Sequence, residues 1–132
     1  MLNDLKIAIS GKSGCGNTSV TKIVSQTLGL QHINYTFRDM ARERNISFQE
    51  MHDLAENDTR YDLFLDNMLV MLAARGKCVL GSRLAVWLLK DAHLKVYLTA
   101  SVEVRSGRIA QREGIPFGKA LEDTVARDKR DR

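Results

Sequence analysis

The sequence predicts an α/β protein in which helices cover both faces of a parallel β-sheet. Short apolar runs alternate along the chain with segments of helical periodicity, and a glycine-rich turn joins the first run to the first helical segment. Parallel strands need helical crossovers of this kind, and those crossovers are right-handed in nearly all known proteins. At 132 residues, the chain is expected to fold as one domain.

The first half of the chain predicts two strands and four helices. Gly29 marks the end of the first helix, because glycine takes the left-handed conformation that often follows a helix. Ser47 and Glu50 have the spacing of a capping box at the start of the third helix. The predicted strands cover residues 5–10 and 32–35, and the predicted helices cover about 18–28, 37–44, 47–57 and 58–75. An apolar stripe on the fourth helix is assigned to the core, and its members are Tyr61, Phe64, Leu65, Met68, Leu69, Met71 and Leu72.

The second half predicts two more strands and three more helices. Gly114 ends the sixth helix, and Pro116 stands at the start of the seventh, where proline is tolerated. The predicted strands cover residues 78–80 and 94–98, and the predicted helices cover 84–89, 101–113 and 116 onward. Four apolar residues of the sixth helix are expected to be at least partly buried: Val102, Val104, Ile109 and Ala110.

The glycine-rich loop between the first strand and the first helix carries the strongest functional signal. Its glycines permit a tight turn, and the following helix adds the positive end of its dipole, so backbone N–H groups converge on an anion site. Strand, glycine loop and helix in this order form the context of a P-loop, which holds nucleotide phosphates. The sequence therefore predicts a three-layer α/β/α P-loop NTPase fold in which ATP is held by Gly11, Lys12, Ser13, Gly14, Cys15, Gly16, Asn17 and Thr18.

Thr18 fits the P-loop pattern, whereas Asn17 departs from it. Thr18 stands at the position of the hydroxyl group that binds Mg²⁺. Asn17 stands where the pattern has a lysine that reaches the β- and γ-phosphates, and asparagine carries no charge. Lys12 occupies the position at which ParA/MinD-like ATPases place a lysine that acts across a dimer interface. Lys12 is therefore a candidate for the missing charge, in cis or in trans, and a solvated loop lysine is the alternative.

Arginines cluster where the ligand cleft is expected, beyond the carboxyl ends of the strands. Guanidinium groups bind phosphate oxygens bidentately and stay charged at any working pH. Arg38 follows the second strand and Arg83 follows the third, so both are predicted to reach the cleft. Other candidates lie near the end of the chain: Arg105, Arg108, Arg112, Arg127, Arg130 and Arg132.

Composition and charge argue against several other classes of protein. The sequence has no apolar run of membrane-spanning length and no signal-peptide pattern. Cys15 and Cys78 do not form a disulfide framework, and they predict reduced thiols in the cytoplasm. Residues 104–132 hold eight Lys/Arg and five Asp/Glu, so +3 of the net charge of +4 lies there. This asymmetry favours a local anion site and predicts no membrane or nucleic-acid partner.

The chain resembles the cytidylate (CMP) kinases, in particular their short archaeal-type branch, over nearly its whole length. The order and spacing of several segments, rather than any one of them, carry the resemblance. These segments are the P-loop, Phe37-Arg38-Asp39-Met40-Ala41, Ser47-Phe48-Gln49-Glu50-Met51-His52, Gly81-Ser82-Arg83-Leu84-Ala85-Val86-Trp87, the 104–114 helix and Ala126-Arg127-Asp128-Lys129-Arg130-Asp131.

The resemblance implies an enzyme of pyrimidine nucleotide metabolism that transfers the γ-phosphoryl group of ATP to CMP or dCMP, with Mg²⁺ as cofactor. Residues of about 36–76 would bind the nucleoside monophosphate, with Arg38 and Arg83 on the acceptor phosphate. Residues of about 105–132 would form part of a mobile lid, with Arg127 and Arg130 on the transferred phosphate. Lys12, Arg127 and Arg130 are thus the candidate catalytic residues.

The chain departs from this family at three places. Asn17 replaces the P-loop lysine, and Gly81 stands where relatives often have an acidic residue that organises Mg²⁺. Relatives also continue with the rest of the lid, a fifth strand and a final helix. The 132 residues are therefore expected to hold four strands and an incomplete lid.

Two other functions remain open at this stage. The chain could bind nucleotides without catalysing transfer, because Asn17 lacks the lysine charge, or it could phosphorylate another small molecule. Four residues are candidates for reading the base of the acceptor, although helix-start polar residues more often act as caps: Asn57, Asp58, Arg60 and Asp62. The sequence is compatible with a monomer or a homodimer.

Overall fold

The computed structural model describes the backbone of residues 4–130 and the side chains of residues 4–129. Within this range four strands form one parallel sheet in the order β2-β3-β1-β4. Helices connect the strands, which confirms the predicted α/β fold. The strands are β1 (Lys6–Gly11), β2 (Gln31–Ile33), β3 (Cys78–Gly81) and β4 (Leu94–Leu98).

The helix ends agree with the predicted ends to within one or two residues. Gly29 and Gly114 adopt left-handed conformations with φ of 67° and 68°, as expected of glycines that follow helices. The Ser47 hydroxyl accepts a hydrogen bond from the Glu50 N–H at 3.1 Å, which confirms Ser47 as an N-cap. The helices are α1 (Asn17–Leu28), α2 (Phe37–Glu43), α3 (Phe48–Asn57), α4 (Arg60–Ala73), α5 (Ala85–Leu88), α6 (Val102–Glu113) and α7 (Phe117–Arg130).

Side chains of β1 alternate between two apolar layers. Ala8 packs into one cluster with residues of α4 and α5, whereas Ile7 and Ile9 pack into another with residues of α1. Successive residues of a strand point to opposite faces of the sheet, so helices must cover both faces. The packing confirms the three-layer arrangement. A further cluster around Met40 and Met51 lies within the helical region between β2 and β3.

Two predicted apolar faces are only partly buried. On α4, Met71 is 67% exposed, because the helix packs against the sheet mainly through Leu69 and Ala73. Phe64 of the same stripe is also exposed. On α6, Val102, Ile109 and Ala110 are partly buried as predicted, whereas Val104 is 48% exposed. The neighbouring Arg105 points inward instead, for a reason that the site makes clear. No helix in residues 4–130 is long and apolar enough to cross a membrane.

Candidate active site

The loop between β1 and α1 has the backbone conformation of an anion-binding turn. Gly14 and Gly16 have φ of 83° and 87°, and the Cys15 N–H donates a hydrogen bond to the Lys12 carbonyl at 3.1 Å. Gly14 also lies directly against α6, where a Cβ would come within 2.9 Å of the Arg105 carbonyl oxygen. Glycine is therefore required at position 14 for both conformation and space.

A cavity of about 450 Å³ opens over this loop, and we call it the donor cavity. Arginines face the loop across it from the end of β3 and from α6 and α7. Its lining combines backbone N–H groups with several positive charges, which suits a polyphosphate. The lining residues are Gly11 through Ser19, Arg83, Arg108, Arg112 and Arg127.

A second cavity of about 390 Å³ lies at the carboxyl ends of β2 and β3, and we call it the acceptor cavity. It is lined by residues 33–37 after β2, by three residues of α4 and by residues 81–84 after β3. Arg83 and Arg127 line both cavities. Two ligands held in these cavities would thus meet at the same pair of guanidinium groups.

Asn17 turns its side chain back toward the loop. Its Nδ2 donates a hydrogen bond to the Gly11 carbonyl at 3.0 Å, and its Oδ1 is buried without a hydrogen-bond partner among the described residues. Asn17 therefore brings no charge to the donor cavity. Lys12 is exposed and lines that cavity, and it also contributes to lowering the pKa of the Asp128 carboxyl group. The lysine thus lies within electrostatic range of both the loop and α7.

Arg38 lies outside both cavities. Its guanidinium group stacks over the ring of Phe48, with its central carbon 4.1 Å from the ring centroid. The preceding residue, Phe37, does line the acceptor cavity. The role of Arg38 at the acceptor phosphate stays a prediction, and it requires the side chain to leave Phe48.

Arg105 was grouped with the phosphate-binding arginines, and the structure corrects that assignment. It is 4% exposed and lies behind the loop rather than over it. Its Nη1 and Nη2 donate to the two carboxylate oxygens of Asp128 at 2.9 and 2.7 Å, and its Nε donates to the Ala100 carbonyl at 3.1 Å. One turn later, Arg108 donates to the Gly14 carbonyl at 3.1 Å. Helix α6 therefore contacts the loop through a buried arginine and through Arg108, which also lines the donor cavity.

Arg127 is exposed near the end of α7 and lines both cavities, and its contact with the transferred phosphate stays a prediction. Arg112 lines the donor cavity and lies 3.3 Å from the Glu113 carboxylate. The side chain of Arg130 lies outside the described residues, and so does Arg132, so their proposed contacts stay predictions.

The comparisons with known proteins agree with this geometry. Residues 6–132 match the cytidylate kinase-like family. The chain belongs to that family. It is 48% identical to cytidylate kinase 2 of Borreliella burgdorferi over 131 residues, which is 97% of this chain and 73% of that protein. It is 44% identical to the cytidylate kinase of Aeropyrum pernix over 123 residues, which is 91% of this chain and 72% of that protein.

Solved structures of other small-molecule kinases share the fold. The shikimate kinase from Bacteroides thetaiotaomicron has a TM-score of 0.71 at 15% identity, covering 92% of this chain and 75% of that one. The shikimate kinase from Acinetobacter baumannii, in complex with shikimate, has a TM-score of 0.66 at 18% identity, covering 95% of this chain and 76% of that one. At such low identity the likeness shows the P-loop kinase fold and nothing finer.

The donor set for a divalent metal in this member of the cytidylate kinase-like family is small. Thr18 lines the donor cavity, but no carboxylate does so among the described residues. Gly81, at the position where an acidic residue was expected, has no room for a side chain because Thr21 lies against it. A divalent metal such as Mg²⁺ keeps several waters and binds substrate phosphates, and in P-loop enzymes the loop hydroxyl group is one protein ligand beside an aspartate. Of these two protein ligands, only the hydroxyl group is present in the described lining. Thr18 would be that protein ligand.

Asp66 of α4 lines the acceptor cavity, and sequence patterns did not single it out. Burial, together with the nearby Asp62 carboxylate, raises the pKa of Asp66, while Arg83 opposes the shift. Its carboxylate makes no hydrogen bond within the described part of the chain. A half-buried carboxylate at a cavity wall is a typical feature of a ligand site. Asp66 could have been identified from the sequence by its position one turn before the core residue Leu69, which places it near the face of α4 that meets the sheet.

The residues suggested earlier as base readers lie elsewhere. Asp58 accepts hydrogen bonds from the backbone N–H and the guanidinium group of Arg60, the shortest at 2.7 Å. Asn57 donates to the Asp53 carbonyl at 2.9 Å. Asp58 and Arg60 therefore close the first turn of α4, and neither they nor Asp62 line the acceptor cavity. Thr59 is the N-cap residue of α4, and the Asp58 carboxylate accepts from the backbone N–H of the first helical residue.

Proposed function

We propose that this protein is an ATP-dependent kinase that phosphorylates CMP or dCMP, giving ADP and CDP or dCDP. Membership in the cytidylate kinase-like family supports the substrate class. The observation that carries the mechanism is the pair of adjoining cavities that share Arg83 and Arg127. Phosphoryl transfer requires donor and acceptor phosphates to lie in line within one positively charged site.

The donor cavity holds ATP. Backbone N–H groups of residues 11–18 surround the phosphates, and Lys12 supplies the charge that Asn17 lacks. When bound, Mg²⁺ supplies positive charge at the β- and γ-phosphate oxygens, with Thr18 as its protein ligand.

The acceptor cavity holds the nucleoside monophosphate, and the helices of residues 36–76 form its outer wall. Arg83 binds the acceptor phosphate, and Arg38 joins it when the side chain leaves Phe48. Asp66 accepts a hydrogen bond from the exocyclic amino group of cytosine. Carboxylates are well suited to this group, whereas uracil presents an oxygen acceptor at the same position and would be repelled.

In the reaction, an oxygen of the acceptor phosphate forms a bond to the γ-phosphorus of ATP. The bond from that phosphorus to the β–γ bridging oxygen breaks, and the bridging oxygen leaves with ADP. Charge is spread over the equatorial oxygens of the transferred phosphoryl group. Arg83 and Arg127, which line both the donor and the acceptor cavity, stabilise this charge in the transition state. Within the proposed lid of residues 105–132, α7 presents Arg127, and Arg130 with it, while Arg105 of α6 stays anchored to the loop.

One observation favours the alternative of nucleotide binding without transfer, namely the uncharged Asn17 turned toward Gly11. A coupled assay against CMP, dCMP, UMP, AMP and shikimate separates the two functions and the possible acceptors. The proposal expects CMP and dCMP to be the best acceptors. ATP binding without turnover on any acceptor would support the alternative, and equal turnover on all five would contradict cytosine recognition.

A further inference from the structure

One buried guanidinium group connects the P-loop to the helix that carries Arg127. Arg105 donates to the Ser13 carbonyl at 3.4 Å and to both carboxylate oxygens of Asp128. The Arg105 side chain is 5% exposed and the Asp128 side chain is 18% exposed. The bidentate geometry fixes distance and orientation together, which a single hydrogen bond does not do.

Helix α7 is attached to α6 along one face. Ala120 and Thr124 of that face are 0% and 2% exposed, and Asp128 lies one further turn along it. Arg127 precedes Asp128, so it lies roughly 100° around the helix axis. With Asp128 held against Arg105, Arg127 lies on a neighbouring face of the helix, and it is the residue of α7 within the described side chains that lines both cavities.

The P-loop is also hydrogen-bonded to α6. Arg105 and Arg108 of α6 bind the carbonyls of Ser13 and Gly14, respectively. These two hydrogen bonds constrain the loop at residues 13 and 14. Arg105 therefore contacts both the loop that lines the donor cavity and the helix that carries Arg127.

We propose that Arg105 and Asp128 are positioning residues, whose ion pair sets the separation between the P-loop and Arg127 for phosphoryl transfer. This inference rests on the proposed function, because it assigns Arg127 to the transferred phosphate. Neither residue of the pair lines the donor cavity or the acceptor cavity. Their effect is on the geometry of groups that do, and a displacement of about 1 Å in such a group can cost about a hundredfold in rate.

The first test compares Asp128→Glu and Asp128→Asn with the control Asp123→Asn. Asp123 belongs to the same helix, but its pair with Lys119 is exposed and spans 3.4 Å. Asp128→Glu keeps the charge and shifts the helix, so kcat should fall about tenfold or more while KM for CMP changes less than about threefold. Asp128→Asn should behave likewise, and the control should match the parent protein. Wild-type kcat in Asp128→Glu would overturn the proposal.

A double-mutant cycle with Arg127→Ala shows whether the pair acts through Arg127. In the Arg127→Ala background, Asp128→Glu should lower kcat little further, because the group that it positions has already been removed. Full additivity of the two losses would overturn the proposal. An unfolding curve for each variant separates a lower kcat from a smaller folded fraction.

Hydrogen exchange tests the pair independently of the substrate. Asp128→Asn should speed amide exchange in residues 13–16 as well as in α7, whereas Asp123→Asn should leave residues 13–16 unchanged. Faster exchange in α7 alone would overturn the coupling of loop and helix. Failure of the parent protein to phosphorylate CMP would contradict the proposed function. The exchange measurement would then still test whether the Arg105–Asp128 pair couples the P-loop to α7.

Discussion

The side chain of Thr21 in α1 lies directly against the Cα of Gly81 at the end of β3. A Cβ built at position 81 would overlap the Thr21 hydroxyl and lie 2.9 Å from its Cβ. The carboxylate expected at this position is thus absent for a steric reason: α1 approaches the sheet too closely. The close packing of Thr21 against Gly81 therefore excludes a carboxylate side chain at position 81.

We therefore expect Gly81→Ala to destabilise the protein by about 1 to 3 kcal/mol, the usual cost of overpacking a buried site. Urea unfolding measures this change. Adding Thr21→Ala should recover part of the loss, because it removes the hydroxyl and methyl groups that the new Cβ meets. If the double variant is as unstable as the sum of the single variants, the two positions do not compete for the same space.

Lys12→Ala should lower kcat by about a hundredfold, because losing one cation at the transferring phosphates costs on the order of 3 kcal/mol. Asn17→Lys in the same background should restore part of the rate. Lys22→Ala, on the exposed face of α1, is the matched control. If Lys12 acts across a dimer, mixing Lys12→Ala chains with Arg83→Ala chains should recover activity. Wild-type turnover in Lys12→Ala would exclude the compensating role.

Arg83→Ala should weaken CMP binding by about 1.5 to 3 kcal/mol, the range for hydrogen bonds to charged groups. Arg38→Ala should weaken it less, because the Arg38 guanidinium must first leave the Phe48 ring. Calorimetric titration with CMP measures both, and exposed Arg75 provides the control. A larger effect of Arg38→Ala than of Arg83→Ala would place the acceptor phosphate nearer to α2 than proposed.

Asp66→Asn should reduce the preference for CMP over UMP by roughly tenfold, because an amide can donate a hydrogen bond to the uracil oxygen. Asp62→Asn, one turn earlier on α4, is the control. Since the pKa of Asp66 is raised, its carboxylate protonates earlier than an ordinary aspartate as the pH falls. The CMP preference of the parent protein should therefore decline in acid, measured as the ratio of kcat/KM values. A preference that survives Asp66→Asn would assign base recognition elsewhere.

The Arg105–Asp128 pair should make stability depend on pH in the acid range. Its hydrogen bonds to Arg105 hold the pKa of Asp128 below the ordinary value of 3.8. A depressed carboxyl pKa stabilises the fold above its unfolded-state value, and this stabilisation is lost as the pH falls through the folded-state value. Asp128→Asn should thus cost about 1.5 to 3 kcal/mol at pH 7, and the difference from the parent protein should shrink below pH 4. Urea unfolding at several pH values measures this difference, and a constant difference down to pH 2 would contradict it.

Local patterns predicted the strands, the helix ends and the P-loop, because these depend on neighbouring residues. The N-cap of α2 was missed although it is equally local, since Thr36 and Asp39 form a capping box that the sequence displays. Arg105 is a different case. Burying an arginine requires partners, and they are two backbone carbonyls and a carboxylate on α7, far along the chain. The periodicity of α6 carries no information about these partners, so it predicted partial burial for Val104 and none for Arg105.

Asp66, in the acceptor cavity, was also not identified from local sequence patterns. Its sequence neighbours mark an amphipathic helix, but only the folded sheet brings it to the cavity that contains Arg83. The positions of Arg83 and the P-loop could be predicted, because strand ends in a parallel sheet lie at one edge. The α4 side of the acceptor cavity depends on which face of α4 packs against the sheet. The apolar stripe of α4 is too wide to specify that face.

The central place of β1 in the sheet has a consequence for how the chain folds during synthesis. Lys6 pairs with Cys78 and Ile7 with Leu94, so β1 leaves the ribosome well before the strands with which it pairs. Distant pairings of this kind slow folding, because the entropy of closing the loop must be offset before any contact forms. A nascent chain that ends before residue 78 presents an apolar strand with two open edges. Chaperone binding to stalled chains should therefore be strongest at those lengths and should fall once β3 and β4 have emerged.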